Sequence, residues 1–399
     1  MKIHLITNLF HPDELAGAAL YTDFADYFKT AGHEVRVTAA FSYYPAWKRR
    51  DEDLDVEWRD DVVRGIPVRR VSMYIPQKPN GITRLMSDAT FFTSLLKRGT
   101  FEGWTPDVVV TACPMLSQCL AQRFLYRGKR VKKLIIVQDF VVDAALELGI
   151  LTMPGLPLLL RALERWSLGS AHELTTISPE MLKKLQGVMH HSRPARYIPN
   201  WVHEDLDAEI RRQQESQSVT RDPLTLFYSG NLGIKQGLPD FLDSFSDVHG
   251  PWTLRIQGGG AEVDRIRERL PAIDSHVVLG PVEDVPTYVS RLRQCTACLV
   301  TQRAGVSANF LPSKLLPALA TGTPVLAVAE ATSPLAKELS QAGYGLVVPP
   351  DNYDALRGAL QELADPAKVQ TMSRLARERA HFFSRERVLG EFAEALGVA

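Results

Sequence analysis

Leu224-Thr-Leu-Phe-Tyr-Ser-Gly-Asn-Leu-Gly-Ile-Lys-Gln-Gly237 runs from an apolar, strand-forming segment straight into a loop with three glycines and one lysine. Short apolar strands followed by helical patterns build parallel α/β sheets. In such sheets, ligands sit in the loops at the carboxyl ends of the strands. Gly230 and Gly233 let the main chain approach an anion, and Lys235 adds a full positive charge. Taken alone, the stretch is equally a glycine turn with a solvated lysine.

The same alternation extends in both directions. It predicts strands near 2–7, 34–40, 107–111, 134–138 and 173–177 in the first half, and near 224–228, 253–257, 276–279, 297–301, 324–328 and 345–348 in the second. A helix over about 18–31 ends at Gly32, which can supply a left-handed cap. After Ile198-Pro-Asn-Trp201 a polar stretch, Glu204 to Thr220, separates the two series. The expected organisation is therefore a first Rossmann-like domain over 1–202 and a second over 203–375. A terminal helix over 376–399, the end of a helical pattern from about Lys368 to Leu396, follows them.

The chain has 399 residues, enough for two domains with their own cores. With 45% hydrophobic and 23% charged residues it reads as an ordinary globular protein. Lys plus Arg equal Asp plus Glu at 46 each, which argues against a nucleic-acid partner. The balance is uneven: residues 1–200 carry five more basic than acidic residues, and the remainder five fewer. Four cysteines make no disulfide framework, and the start lacks a signal peptide's long apolar region, so a cytoplasmic location is expected. No window reaches the ~18 apolar residues of a spanning helix.

Further loops carry candidate chemistry. Arg255-Ile-Gln-Gly-Gly-Gly260 follows a strand, but a dinucleotide fingerprint starting at Gly258 needs glycine where Val263 stands. Leu311-Pro-Ser-Lys-Leu315 opens a helix. There Ser313 is a plausible N-cap, and either free first-turn amides with Lys314 would hold a diphosphate or the segment is an ordinary capped helix. In the first half, Gly17 follows the first strand and either admits a phosphate or forms a tight turn. Asp139 ends a strand and either orients a sugar or a proton, or caps a helix. Cys295 and Cys298 lack a second ligand pair, so buried thiols are expected and no metal site.

Together these stretches resemble the family-4 retaining glycosyltransferases with the GT-B fold, and among them the colanic-acid-type exopolysaccharide branch. The matching segments, in order, include Leu15 to Ala40, Tyr43-Tyr-Pro45, Val137-Gln-Asp139, Ile198-Pro-Asn-Trp201, Tyr228 to Gly237, Gly258 to Gly260, Leu311-Pro-Ser-Lys314 and Ala320-Thr-Gly-Thr-Pro-Val325. The resemblance implies two Rossmann-like doubly wound domains facing across a cleft, with the C-terminal helix crossing back to the N-terminal domain. The first domain would bind the acceptor and the second the nucleotide-sugar donor. The implied activity is a metal-independent hexosyltransferase that needs no cofactor. It would move a sugar from a UDP- or GDP-linked donor to a glycan or polyprenyl-linked acceptor.

By match, Lys235 and Lys314 would stabilise the departing diphosphate, with Asp139 as a third catalytic group. Gly17, Gly230, Asn231, Gly233, Gly258, Gly259, Arg303, Asn309 and Ser313 would join the two lysines in holding the donor. Two departures stand out. Asn231 replaces the family's usual arginine, and Asn309 and Pro317 occupy the places of two glutamates that are eight positions apart. The missing glutamates keep open a catalytically silent nucleotide-sugar binder, and an epimerase on the same frame is the other alternative. Arg127, Lys129, Arg130, Lys132 and Lys133, near the apolar stretch from Leu148 to Leu160, point to an anionic membrane face as a peripheral partner, although that apolar stretch reads equally as a buried interdomain or core segment.

Overall fold

The computed structural model describes residues 1–77, 81–113, 115–140, 142, 155–216, 220–273, 276–305 and 311–398. The chain divides into two compact units, Met1–Pro199 with Val388–Ala399, and Asn200–Arg387.

In the first unit the described strands form one sheet in the order β3-β4-β2-β1-β5-β6-β7-β8. Their ranges are β1 Lys2–Thr7, β2 Glu34–Ala40, β3 Trp58–Val63, β4 Ile66–Val71, β5 Val108–Cys113, β6 Lys132–Val137, β7 Glu173–Thr176 and β8 Ala195–Tyr197. All neighbours are parallel except the β3–β4 hairpin. Every residue of β5 is buried, as expected of a parallel strand covered on both faces. Helices α1 (Ala16–Thr30), α2 (Gly81–Arg98), α3 (Leu116–Leu125), α4 (Leu156–Leu168) and α5 (Pro179–Val188) accompany this sheet.

The sequence pattern misses β3, β4 and β8. Trp58–Val63 carries Arg59, Asp60 and Asp61, which breaks its apolar alternation, yet those charges suit an edge strand. Asp60 grips Arg69 across the hairpin at 2.7 and 2.8 Å. Arg64 and Gly65, with φ of 50° and 72°, make the two-residue turn that joins the strands.

The second unit begins with α6 (Glu204–Ser216) and contains β9 Thr225–Ser229, α7 Leu238–Val248, β10 Thr253–Gln257, α8 Val263–Ile273, β11 Val277–Gly280 and α9 Val285–Gln294. It continues with β12 Ala297–Thr301, α10 Leu315–Thr321, β13 Val325–Val328, α11 Pro334–Ala342, β14 Gly345–Val348, α12 Tyr353–Leu363 and α13 Pro366–Ala380. Its sheet is parallel throughout, in the order β11-β10-β9-β12-β13-β14. Alternate residues feed two cores. Leu226, Tyr228, Leu299 and Leu326 pack on one face, and Phe227, Cys298, Val300 and Val325 on the other.

The compact units part at Pro199/Asn200, before the sequence boundary at 202/203, because Val202 is already in the second unit's core. The single terminal helix is two helices. After α13, a short turn at His381–Phe383 buries Phe383 in the second unit, and α14 (Arg385–Leu396) follows. From Val388 onward the chain belongs to the first unit, where the Phe392 ring stands edge-on to Phe24 at 5.5 Å.

Phe392 is 1% exposed, and its removal leaves a void beside Phe24. Phe392→Ala is expected to destabilise the first unit by about 3–5 kcal/mol, read as a lower urea midpoint of the full chain.

Candidate active site

The strand order of the second sheet reverses between β9 and β12, and that switch point opens a crevice outside their carboxyl ends. The loops after β9 and β12 are tied there, since the Arg303 N–H donates to the Lys235 carbonyl at 2.9 Å. The loops after β9 and β10 are stitched in the same way. Gly230 N–H donates to the Gln257 carbonyl (3.0 Å), Leu232 N–H to Gly259 (2.9 Å) and Glu262 N–H to Leu232 (2.9 Å). Gly258 makes this close approach sterically feasible. Its φ is +153°, and a Cβ there would lie 1.9 Å from the Gly230 carbonyl oxygen. Its N–H is taken by the Gly280 carbonyl at 3.3 Å, so Gly258 serves the packing of the loops. Gly259, by contrast, has open space where its Cβ would be.

Lys314 enters this bed from the start of α10. Its ammonium nitrogen is shut off from solvent and has no hydrogen-bond partner among the described residues. It lies 3.5 Å above the centre of the Tyr228 ring, and a Cβ on Gly230 would be 3.7 Å from it. Burial pushes the Lys314 pKa down to about 8, although the neighbouring Cys298 opposes the shift. A desolvated cation–π contact is worth about 2 kcal/mol, which does not repay the desolvation of an ammonium with three unused donors. The Tyr228 hydroxyl is occupied, donating to the Asn231 carbonyl at 2.8 Å. Gln257 Oε1 and Thr301 Oγ1, on residues that end β10 and β12, are also buried without hydrogen-bond partners among the described residues. An ammonium with unused donors and an unused Thr301 hydroxyl at one sheet edge make this edge the candidate place for a polar, anionic ligand.

Comparison with known proteins gives the family. Residues 17–201 match the Glycosyl transferase 4-like domain family, and residues 223–365 match Glycosyl transferases group 1. WcaI of Escherichia coli K12, named as a glycosyl transferase of colanic acid biosynthesis, is 27% identical over 98% of each chain. The chain belongs to the GT-B glycosyltransferases. Among solved structures, sucrose-phosphate synthase of Thermosynechococcus elongatus superposes with a TM-score of 0.70 at 20% identity, covering 99% of this chain and 98% of that one. HepE of Anabaena, solved with UDP-glucose, gives 0.64 at 15% identity over the full length of both. At these identities the solved structures speak for the fold. The family matches and WcaI favour a transferase over the epimerase or the silent binder.

In this glycosyltransferase Gly230, Asn231, Gly233, Lys235, Gly258, Gly259, Arg303 and Lys314 gather at the carboxyl edge of the second sheet. Lys235 is half-buried and has no ion pair among the described residues, whereas Arg303 reaches Asp240 only at 4.0 Å. Asn309 lies outside the described residues.

The expected cap at Ser313 is not formed. The helix starts at Leu315, Lys314 holds the N-cap position in a right-handed helical conformation, and Ser313 is exposed. The Leu315 and Leu316 amides already donate to the Pro312 and Ser313 carbonyls, and Pro317 has no N–H. The first turn therefore offers few free amides, and the positive charge rests on the lysine side chain.

In the first unit Gly17 sits inside α1, not in a tight turn, and its missing Cβ would make only ordinary contacts with Leu9 and Tyr21. Asp139 is half-buried just beyond β6, and one carboxylate oxygen accepts the Phe140 N–H at 2.8 Å. The sequence reading overlooked Asp13. Its Oδ1 accepts from Ser42 Oγ and from the Tyr43 and Tyr44 amides, each at 2.9 Å, while Oδ2 is buried without a hydrogen-bond partner among the described residues. The available signal was a carboxylate shortly after the first strand, facing the Tyr-Tyr-Pro segment in the order of the fold. Tyr228 was visible only as a strand residue.

The Lys314 shift fixes a stability signature. Below about pH 8 the folded chain carries a buried charge that the unfolded chain solvates freely. Between about 8 and 10.5 the folded state binds fewer protons than the unfolded one, so this penalty fades as pH rises. Lys314→Met is expected to raise stability at pH 7 by about 3 kcal/mol, and the gain should disappear near pH 10.5. Chemical denaturation of both proteins across that range checks it.

Proposed function

We propose that the protein is a retaining, metal-independent hexosyltransferase that moves a sugar from a UDP- or GDP-linked donor onto a glycan or polyprenyl-linked acceptor in polysaccharide assembly. The observation that carries this reading is the buried Lys314 ammonium at the switch-point edge of the second sheet, which has no hydrogen-bond partner among the described residues. A donor diphosphate supplies the anion that this cation lacks. Lys235, on the neighbouring loop, adds a second charge, and Gly259 leaves room for the phosphates to reach the main chain.

The second domain holds the donor in this scheme and the first receives the acceptor, with Asp139 and Gly17 at the carboxyl edge of its sheet. The bond from the anomeric carbon to the diphosphate oxygen breaks while charge builds on that oxygen, where the lysines stabilise it. The acceptor hydroxyl attaches from the same face and passes its proton to the departing phosphate. This route needs no protein nucleophile and conserves the anomeric configuration.

A cytoplasmic, membrane-peripheral location completes the proposal. Among the described residues no helix is long and apolar enough to cross a membrane. On α4, however, Leu158 and Leu159 are 73% and 65% exposed, and Trp166 is exposed beside Phe124, with the Arg123 guanidinium 4.3 Å above its ring. Exposed Arg127, Lys129 and Arg130 follow α3. Apolar anchors among cations suit an anionic leaflet, at about 1 kcal/mol per charge near the surface.

Lys235→Ala and Lys314→Ala are each expected to lower turnover about a hundredfold, or ~3 kcal/mol of barrier, without loss of folding. Near-normal turnover in both would remove the diphosphate assignment. Transfer should survive excess chelator, and NMR of the product should show the donor's anomeric configuration. A fall of kcat/KM above about pH 8 would report Lys314 in the free enzyme. For the membrane, liposome flotation should show binding that depends on anionic lipid and low salt. Binding unchanged when Arg127, Lys129, Arg130, Lys132 and Lys133 are neutralised would rule out that part.

A further inference from the structure

A pocket of about 440 Å³ opens on the first unit. Its wall comes from the end of α3 and the turn after it, the end of α4, the start of β6 and the segments that precede β7 and β8. It therefore lies at the amino edge of the sheet, opposite the edge where Asp139 follows β6. Arg123, Arg127, Lys133 and Arg193 line it with His172 and Trp166, and among the described residues no carboxylate does. Glu173, the acidic residue next to His172, is paired with Arg196. None of the four cations in the wall has an ion pair among the described residues.

Several of these groups are already fixed. Arg123 donates to the Trp166 carbonyl at 3.2 Å, and its guanidinium stands 4.3 Å above the Trp166 ring. His172 Nδ1 accepts the Lys133 N–H at 3.0 Å, so a neutral ring carries its proton on Nε2, as a donor. Partial burial, then the charges of Lys133, Arg193 and Lys132, hold the His172 pKa below the ordinary imidazole value. Burial and the Arg123 charge lower that of Lys133.

A solvated basic face accounts for Lys129 and Arg130, which are exposed and form no part of the wall. It does not account for four cations and an imidazole around one concave space. Guanidinium forks match phosphate oxygens, and the volume falls in the usual range for small-molecule sites. A phosphomonoester, with three free oxygens and up to two charges, suits this wall better than a singly charged diester. Helix α4 indicates where the phosphate comes from. Leu159 and Trp166 are two helical turns or about 10 Å apart, so an exposed leucine and the pocket wall share one face. We propose that this pocket receives the phosphomonoester headgroup of a membrane lipid whose acyl chains meet Leu158 and Leu159. The proposal rests on the membrane attachment put forward above and adds a shaped site where that attachment needs only diffuse charge.

Flotation of the full chain compares phosphatidylcholine vesicles that contain either phosphatidate or cholesteryl hemisuccinate, a carboxylate lipid, adjusted to the same zeta potential. The expected result is about tenfold tighter binding to phosphatidate, the size of one charged fork contact. The preference should vanish in Arg193→Gln and in Arg127→Gln, which sit on separate segments and, being exposed, should melt close to the parent. Lys129→Gln, which removes the same charge outside the pocket, should keep it. Equal binding to the two vesicles, a preference that survives Arg193→Gln, or one lost equally in Lys129→Gln overturns the proposal and leaves the membrane attachment standing. Binding to neither vesicle overturns both. Glycerol 3-phosphate tests the soluble source. A rise in Tm over chloride of matched ionic strength that Arg193→Gln abolishes, with no preference between vesicles, assigns the pocket to a soluble phosphate and overturns the lipid.

Discussion

The Gly230 carbonyl occupies the space that a side chain on Gly258 would fill, and much of the active edge depends on that contact. Because the two main chains meet there, the Gly230, Leu232 and Glu262 amides all find carbonyl partners across the loops. With those partners made, the loops need no bulky side chains for support and can leave space above Gly259. The Tyr228 ring then forms the floor on which Lys314 rests. An alanine at 258 would force the loops apart before it touched any ligand.

Most of the second domain was legible because each of its strands is a short apolar run bounded by turn residues, and a parallel sheet covered on both faces requires that pattern. In the first domain β3, β4 and β8 were not legible: β3 and β8 are edge strands with little apolar signal, and β4, though paired on both sides, interrupts its apolar residues with Pro67, Arg69 and Arg70. The site was legible as loops and cations. Glycine and lysine after a strand are strong local signals, and Lys235, Lys314 and Arg303 do gather at one sheet edge. What the sequence could not express was which polar groups lack partners. That Lys314 is buried over an aromatic ring, that Leu315 and Leu316 have spent their amides, and that Asp13 gathers three donors are all facts of packing between distant segments.

Two requirements conflict at Lys314. A stable fold would replace a buried ammonium with an apolar side chain, as protein interiors disfavour unpaired charge. A site that must grip an anion near neutral pH needs that charge held in place with its water already removed. The Tyr228 face eases the conflict, because it attracts the cation without saturating its donors. Asn231 and Pro317 belong to the same local chemistry. With a neutral residue beside Gly230 and no carboxylate in the first turn of α10, nothing on those two elements neutralises the lysine before a ligand arrives.

Helix α10 spans only Leu315–Thr321, about 10 Å, and most of it is buried. So short a rod, closed on all sides, does not bend; it shifts as a block. The helix's own Leu315, Leu316, Ala318 and Leu319, packed in the core, thus act as shims that set the height of Lys314. Exchanging one of these for a neighbour in size would move the lysine relative to Tyr228 without altering a residue that faces the crevice. In the proposed function, such a shift would change how tightly the anion is held while every loop residue remains the same.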